Sequence, residues 1–356
     1  MAPLLMSKFH LSTATLAALG AAILFGGSTP FAKQLVCNIS PVLLAGLLYL
    51  GSGIGLICVR CIKDRGWQPS GLLKNERLWL ICAIGFGGII APILLMLGLV
   101  YTIAATASLL LNLEAVLTAC IAWIVFKEST DSRIMFGMVL IVLGGVVLSW
   151  PSELLATRWL GPLAIAIACL CWAIDNNLTR KISSADSVFI AGSKGLVSGT
   201  VNVCLALAIG LKLPSFYSIT SAFIVGFLGY GISVVLFVLA LRGLGTARTG
   251  AYFSTAPFIG AAIAIMFFHE PTSTLFWVAA LLMGIGAWIH LTEHHDHTHA
   301  HESLFHNHTH THDEHHRHNH DFPWDGKEPH AHFHKHEEQT HSHHHYPDTH
   351  HRHKHK

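Results

Sequence analysis

From Ser12 to His290 the chain alternates apolar runs of helix length with short polar breaks, and this alternation restricts its fold more than any other feature. A bilayer core about 30 Å thick needs roughly 20 mainly apolar residues per helix. Ten runs approach that length: Ser12–Ala32, Pro41–Ile62, Leu78–Val100, Ile103–Phe126, Ile134–Trp150, Leu160–Thr179, Val188–Leu211, Ala222–Leu241, Ala247–Phe268 and Leu275–His290. Only 12% of all residues are charged against 52% hydrophobic, far from the balance of a soluble domain of this size. The run after Ser12 leads into further spans, so it reads as a first transmembrane helix and not as a cleavable leader. The expected class is an all-α polytopic membrane protein with short connections between antiparallel neighbours.

The runs fall into two similar sets of five. Phe126-Lys127-Glu128, ending the fourth, matches Phe268-His269-Glu270, ending the ninth, and the same offset carries Gly144 onto Gly286. Phe25 to Lys33 aligns with Trp172 to Arg180, each stretch opening on an aromatic and closing on a base. Repeats with an odd number of spans lie in opposite orientations, the inverted architecture of secondary transporters, with the substrate site near midplane between the halves. The chain therefore divides into repeats at 1–150 and 151–290, followed by a third segment at 291–356.

Lys/Arg placement orients the bundle. With the N-terminus inside, the cytoplasmic side receives Lys8, Arg60, Lys63, Arg65, Lys74, Arg77, Lys127, Arg133, Arg180, Lys181, Arg242 and Arg248, and the other side only Lys33, Arg158 and Lys212. An even number of spans returns the C-terminus to the cytoplasm. The expected location is the inner (cytoplasmic) membrane.

The segment Leu111-Asn112-Leu113-Glu114-Ala115-Val116 running to Phe126-Lys127-Glu128, together with the five-plus-five repeat and Gly-rich spans, resembles the EamA-type transporters of the drug/metabolite transporter superfamily. The likeness covers about Leu11 to His290. Such families often carry a proline in this segment; here it is absent at Ala115 and present at the matching Pro257. The resemblance implies ten helices around a central cavity, alternating access and small metabolites as substrates, and does not choose among them.

Charged groups at membrane depth are costly unless paired or facing water, so each is a functional candidate. At 1.5 Å per residue, Glu114 lies roughly 16 Å from the outer end of span four, Asp175 about 8 Å and Lys194 about 10 Å from the cytoplasmic face. Glu114 reads as a proton-exchanging or amine-binding carboxylate, against the plainer reading of a fixed hydrogen bond to a neighbouring helix. Asp175 and Lys194 match in depth and read as a charge pair. Asn112, Asn176, Phe25 and Trp172 join them as candidates for substrate binding or coupling. Pro30, Pro92 and Pro257 free a backbone carbonyl one turn earlier, which bends or opens a helix. Small-residue patterns such as Gly85-x-Gly87-Gly88 read as close packing.

Of 28 histidines only His10, His269 and His290 precede Leu291. The tail holds few aliphatic residues, so it is expected to be disordered and cytoplasmic. Its imidazoles favour nickel, copper, zinc or cobalt over magnesium and calcium. The candidate ligands are His306, His308, His310, His312, His315, His316, His318, His320, His343, His344 and His345, with Asp296, Asp313, Glu314 and Asp321 lowering the cost of gathering cations. The eight cysteines lie mostly in apolar runs, and the Cys58/Cys61 pair lacks a second ligand pair, so both read as ordinary helix residues.

Two function classes result. One is a secondary exporter of small organic metabolites such as amino acids, proton-coupled, with a metal-binding tail; the other moves divalent metal ions or their chelates. The spans hold no clustered His/Cys/carboxylate set, which favours the first. No constellation of nucleophile and base points to an enzyme. Expected partners are the bilayer, a small-molecule substrate and transition-metal ions, with a homodimer left open and no nucleic acid.

Overall fold

The computed structural model describes residues 13–63, 72–73, 76–126, 132–150, 159–182 and 186–291, and then four segments at 296–301, 305–310, 330–335 and 339–344. Lys8, Arg65, Lys74, Lys127, Glu128, Arg158, His312, His315, His316, His318, His320 and His345, and the carboxylates Asp313, Glu314 and Asp321, lie outside the described residues. The chain forms two compact units, Met1–Glu293 and His294–Lys356.

Among the described residues the first unit is all-helical. It runs α1 (Thr13–Val36), α2 (Pro41–Lys63), α3 (Arg77–Ala83), α4 (Ala91–Tyr101), α5 (Ala104–Leu110), α6 (Leu113–Phe126) and α7 (Ser132–Ser149). The second half follows with α8 (Leu160–Arg180), α9 (Ser187–Ala208), α10 (Phe216–Gly226), α11 (Ser233–Phe253), α12 (Ala256–Phe268) and α13 (Thr274–Leu291). Local chemistry marks several ends. The Asp186 carboxylate accepts the Phe189 amide at 2.7 Å to cap α9, and Gly210 (φ 84°) supplies the left-handed residue that closes it.

Eight of the expected spans are long and apolar enough to cross a membrane, from Thr13–Val36 to Phe216–Ala240. The last two differ. Ala256–Phe268 and Thr274–Ile289 are apolar but shorter, and residues 247–253, expected to open span nine, belong instead to α11. The reason is a turn at Ser254-Thr255, with Pro257 in the first turn of α12, which cannot continue the preceding helical hydrogen bonds.

The two repeats interlock rather than stand side by side. α1 packs on α11 and α12, α8 packs on α4 and α6, α2 lies against α9, and α7 against α13. Gly144 and Gly286, matched in the repeat, sit on opposite sides of the α7–α13 contact: a Cβ on Gly144 would lie 2.6 Å from Met283 Cγ, and one on Gly286 2.6 Å from the Gly137 carbonyl. Large apolar side chains such as Ile81, Ile124, Leu281 and Trp288 remain exposed, as a lipid-facing surface requires.

Span three is interrupted by a π-helical stretch, Ile84–Ile90, and span eight by another, Phe227–Ile232. The offset relating Gly144 to Gly286 also superposes these two stretches. It nearly superposes the Leu111-Asn112 turn between α5 and α6 on the Ser254-Thr255 turn between α11 and α12. Paired wide turns and paired breaks at membrane depth are the irregularities expected around a binding region.

In the second unit, β1 (Asp296–His301) pairs antiparallel with β4 (Gln339–His344), and β2 (Phe305–His310) with β3 (His330–Lys335). Each carries histidine at alternate positions, and period two is the strand period. Composition alone conceals that alternation.

Cys37 is exposed just beyond α1, whereas Cys58 and Cys61 are exposed near the opposite end of α2. With the N-terminus inside, a membrane-impermeant maleimide added to intact cells is expected to label a variant retaining only Cys37. It should label one retaining only Cys61 after permeabilisation alone.

Candidate functional site

The break before α6 places Glu114 in the first turn of that helix, between the two halves. Its Oε1 accepts from Asn176 Nδ2 of α8 at 2.8 Å, and Asn176 also reaches Thr118 Oγ1 at 3.4 Å. Next to it, Asn177 donates to the carbonyls of Ala173 (2.9 Å) and Thr118 (3.2 Å), locking α8 to α6. Glu114 is half-buried, Asn176 is exposed, and among the described residues no cation lies within ion-pair distance of Glu114.

Asp175 and Lys194 do pair. Lys194 Nζ donates to both carboxylate oxygens of Asp175 at 2.6 Å and to Thr179 Oγ1 at 3.3 Å, and Thr179 itself donates to Asp175 at 3.0 Å. Asp175 is 5% exposed, so the pair is a buried, hydrogen-bonded link between α8 and α9. Gly87 of the first π-helical stretch abuts it: a Cβ there would overlap the Asp175 carboxyl. Asn112 is buried at the break before α6, where its Nδ2 donates to Leu109 O at 2.9 Å.

The aromatics organise around the same stretches. Trp172 Nε1 and Tyr49 OH both donate to the Gly87 carbonyl, at 2.9 and 3.0 Å. Phe25, matched to Trp172 in the repeat, meets Tyr230 of the second stretch edge-on at 6.0 Å and Phe253 at 5.2 Å. Thus the leading aromatic of each repeat contacts the π-helical stretch of the other. Tyr49 and Tyr230 lie 5.7 Å apart, so the rings of Tyr49, Tyr230 and Phe25 form a run, joined to Trp172 through the Gly87 carbonyl that Tyr49 shares with it.

Tyr49, Tyr230, Thr118 and Gly87 join this candidate cluster without having been singled out for it from the sequence. A phenol inside an apolar span is a legible signal, because a buried Tyr O–H needs a partner. The Gly87 carbonyl had no such signal; it becomes an acceptor only through the wide turn around it.

Two interlocking helical repeats, each with one π-helical stretch and one broken helix, define a multi-pass membrane protein whose polar residues converge between its halves. The chain belongs to the EamA-like transporter family, whose model matches residues 12–150 and 159–292, one copy for each repeat. An uncharacterised transporter of Methanothermobacter thermautotrophicus is 28% identical over 76% of this chain and 83% of its own length. Two uncharacterised transporters of Bacillus subtilis, YyaM and YvbV, are 23% and 26% identical over 68% and 73% of this chain and 81% and 85% of their own. A crystal structure of a protein 18% identical in sequence superposes with a TM-score of 0.59 over 79% of this chain and 99% of that one, a likeness of fold.

Removing one partner of the buried pair strands a charge, a loss of about 3–5 kcal/mol. Lys194→Met is expected to lower the thermal midpoint of detergent-solubilised protein sharply, and Asp175→Asn/Lys194→Met together less than the single change. A double variant as unstable as the sum of the two would contradict this.

Proposed function

We propose that the protein is a secondary exporter of small organic metabolites carrying an amine, such as amino acids, working by alternating access between its two repeats and coupled to protons. The observation that carries this reading is Glu114: a carboxylate at membrane depth, beside a helix break, held by Asn176 of the other repeat and, among the residues whose side chains are described, not by a cation. In that setting Glu114 receives either a proton or the substrate amine, Asn176 and Thr118 hold the carboxylate in place, and the rings of Trp172, Tyr49 and Phe25 contact the apolar part of the substrate. Asp175 and Lys194 fix α8 against α9 beside it. The bundle lies in the inner membrane with both termini in the cytoplasm, where the histidine-rich tail binds zinc, nickel, cobalt or copper.

Transport of the metal ion itself has less to support it. Among the described residues no three His, Cys, Asp or Glu side chains come together as a metal site.

Export by Glu114→Gln, measured in inverted vesicles with a panel of radiolabelled amino acids across pH 5.5–8.5, is expected to lose its pH dependence and most of its rate. Wild-type pH dependence and affinity in the variant would overturn the coupling role. A chain ending at His290 should retain amino-acid export; loss of nickel, cobalt, zinc or copper tolerance on truncation, without any amino-acid transport by the full chain, would favour the metal reading.

A further inference from the structure

Between α4 and α5 the chain leaves the helix for two residues, Thr102 (φ −129°, ψ 140°) and Ile103 (φ −68°, ψ 151°). The proposed orientation places this end of the bundle outside. Side chains from both repeats hold the break. From the second repeat, Glu270 accepts the Ala104 and Ala105 amides at 2.8 and 2.7 Å, one on each carboxylate oxygen. From α1, Lys33 Nζ donates to the Leu99 carbonyl in the last turn of α4, and Phe31 meets Phe268 of α12 edge-on at 5.5 Å. Glu270 is itself fixed: α12 ends on left-handed His269 (φ 52°), and the Glu270 amide turns back to the Ala264 carbonyl at 3.3 Å.

Inward from these contacts runs a seam between α1 and α5 of the first repeat and α12 of the second. A Cβ on Gly26 would lie 2.2 Å from the Ala256 carbonyl oxygen, and one on Gly260 2.6 Å from the Gly26 carbonyl oxygen and 2.8 Å from Ser108 Oγ. Ser108 is 1% exposed, and its hydroxyl has no hydrogen-bond partner among the described residues. Buried hydroxyls are nearly always bonded, so close packing alone does not account for a serine here. A surface that meets water or a polar solute in part of a cycle does. At 1.5 Å per residue Ser108 stands roughly 6 Å inward of Ala104 and roughly 9 Å short of Glu114.

We propose that this seam is the route by which substrate leaves the Glu114 site, and that Glu270 is the positioning residue that holds its outer end shut. The proposal rests on alternating access between the repeats. A shift of the second repeat against the first takes Glu270 off the Ala104 and Ala105 amides and parts Gly26 and Ser108 from Gly260. Neither glycine carries a side chain that would interlock across the seam. The released amides, the carboxylate and the Ser108 hydroxyl then face water in the opened mouth, so no polar group is stranded in lipid. Two hydrogen bonds to a charged acceptor favour the shut end until that shift occurs.

The test follows access to Ser108→Cys in a chain stripped of its natural cysteines, with a membrane-impermeant cationic methanethiosulfonate applied to intact cells and to inverted vesicles. Glu270→Ala is expected to raise the modification rate from outside at least fivefold. Glu270→Gln should raise it less, because its one carbonyl oxygen still accepts, and neither change should raise it from the cytoplasmic side. A carboxylate that merely stabilises the fold would lower the thermal midpoint with access unchanged, or raise access equally from both sides, and either result would overturn the latch. Joining Phe31→Cys to Phe268→Cys with a short, reducible bifunctional thiol reagent should stop export of radiolabelled amino acids, and reductant should restore it. Export that continues through the cross-linked protein would overturn the exit route. Raised outer access in Glu270→Ala, with no amino acid exported by the wild type, would sink the proposed substrate class and leave the latch standing.

Discussion

A helix that breaks or widens inside a membrane leaves backbone groups that lipid cannot satisfy, and in this molecule several are satisfied by the opposite repeat. The Gly87 carbonyl accepts from Trp172, the carbonyls of Gly88 and Ile89 accept from Asn202 at 3.4 Å, and the amides of Ala104 and Ala105 donate to Glu270 at 2.8 and 2.7 Å. Each bond crosses between halves. The interruptions that give the first repeat its irregular interior thus also tie it to the second, whose side chains complete its backbone hydrogen bonding.

This dependence explains why the polar residues converge. Asp175, Asn176 and Asn177 are consecutive on α8 and engage three directions: Lys194 on α9, Glu114 on α6, and the backbone carbonyl of Thr118. Only the middle residue stays exposed, so Asn176 links the fixed scaffold to the accessible carboxylate. Gly87, pressed against Asp175 and bonded through its carbonyl to Tyr49 and Trp172, ties the π-helical stretch to the same cluster.

Much of the helical unit was legible in the chain because its determinants are local. Apolar run length places eight spans, and the Glu114, Asp175 and Lys194 depths follow from counting residues. The Gly144/Gly286 match proved to be the α7–α13 contact itself. What escaped was set by geometry without a residue code. Gly87 and Gly88 do pack closely, as Gly85-x-Gly87-Gly88 suggested, but that pattern carries no sign of the wide turn around them. Asn112 bonds back across the break before α6, and a polar side chain two positions from Glu114 carries no mark in sequence of which way it bonds.

The Glu270 contact has a consequence for how the protein is made. Ala104 and Ala105 enter the membrane with their amides uncapped, and the carboxylate that accepts them lies 166 and 165 residues later in the chain. Hydrogen bonds to a charged group are worth about 1.5–3 kcal/mol each. Until synthesis passes residue 270, the first repeat carries that deficit, so its mouth at this end cannot mature ahead of the second. The order of translation imposes a late, joint completion on both halves.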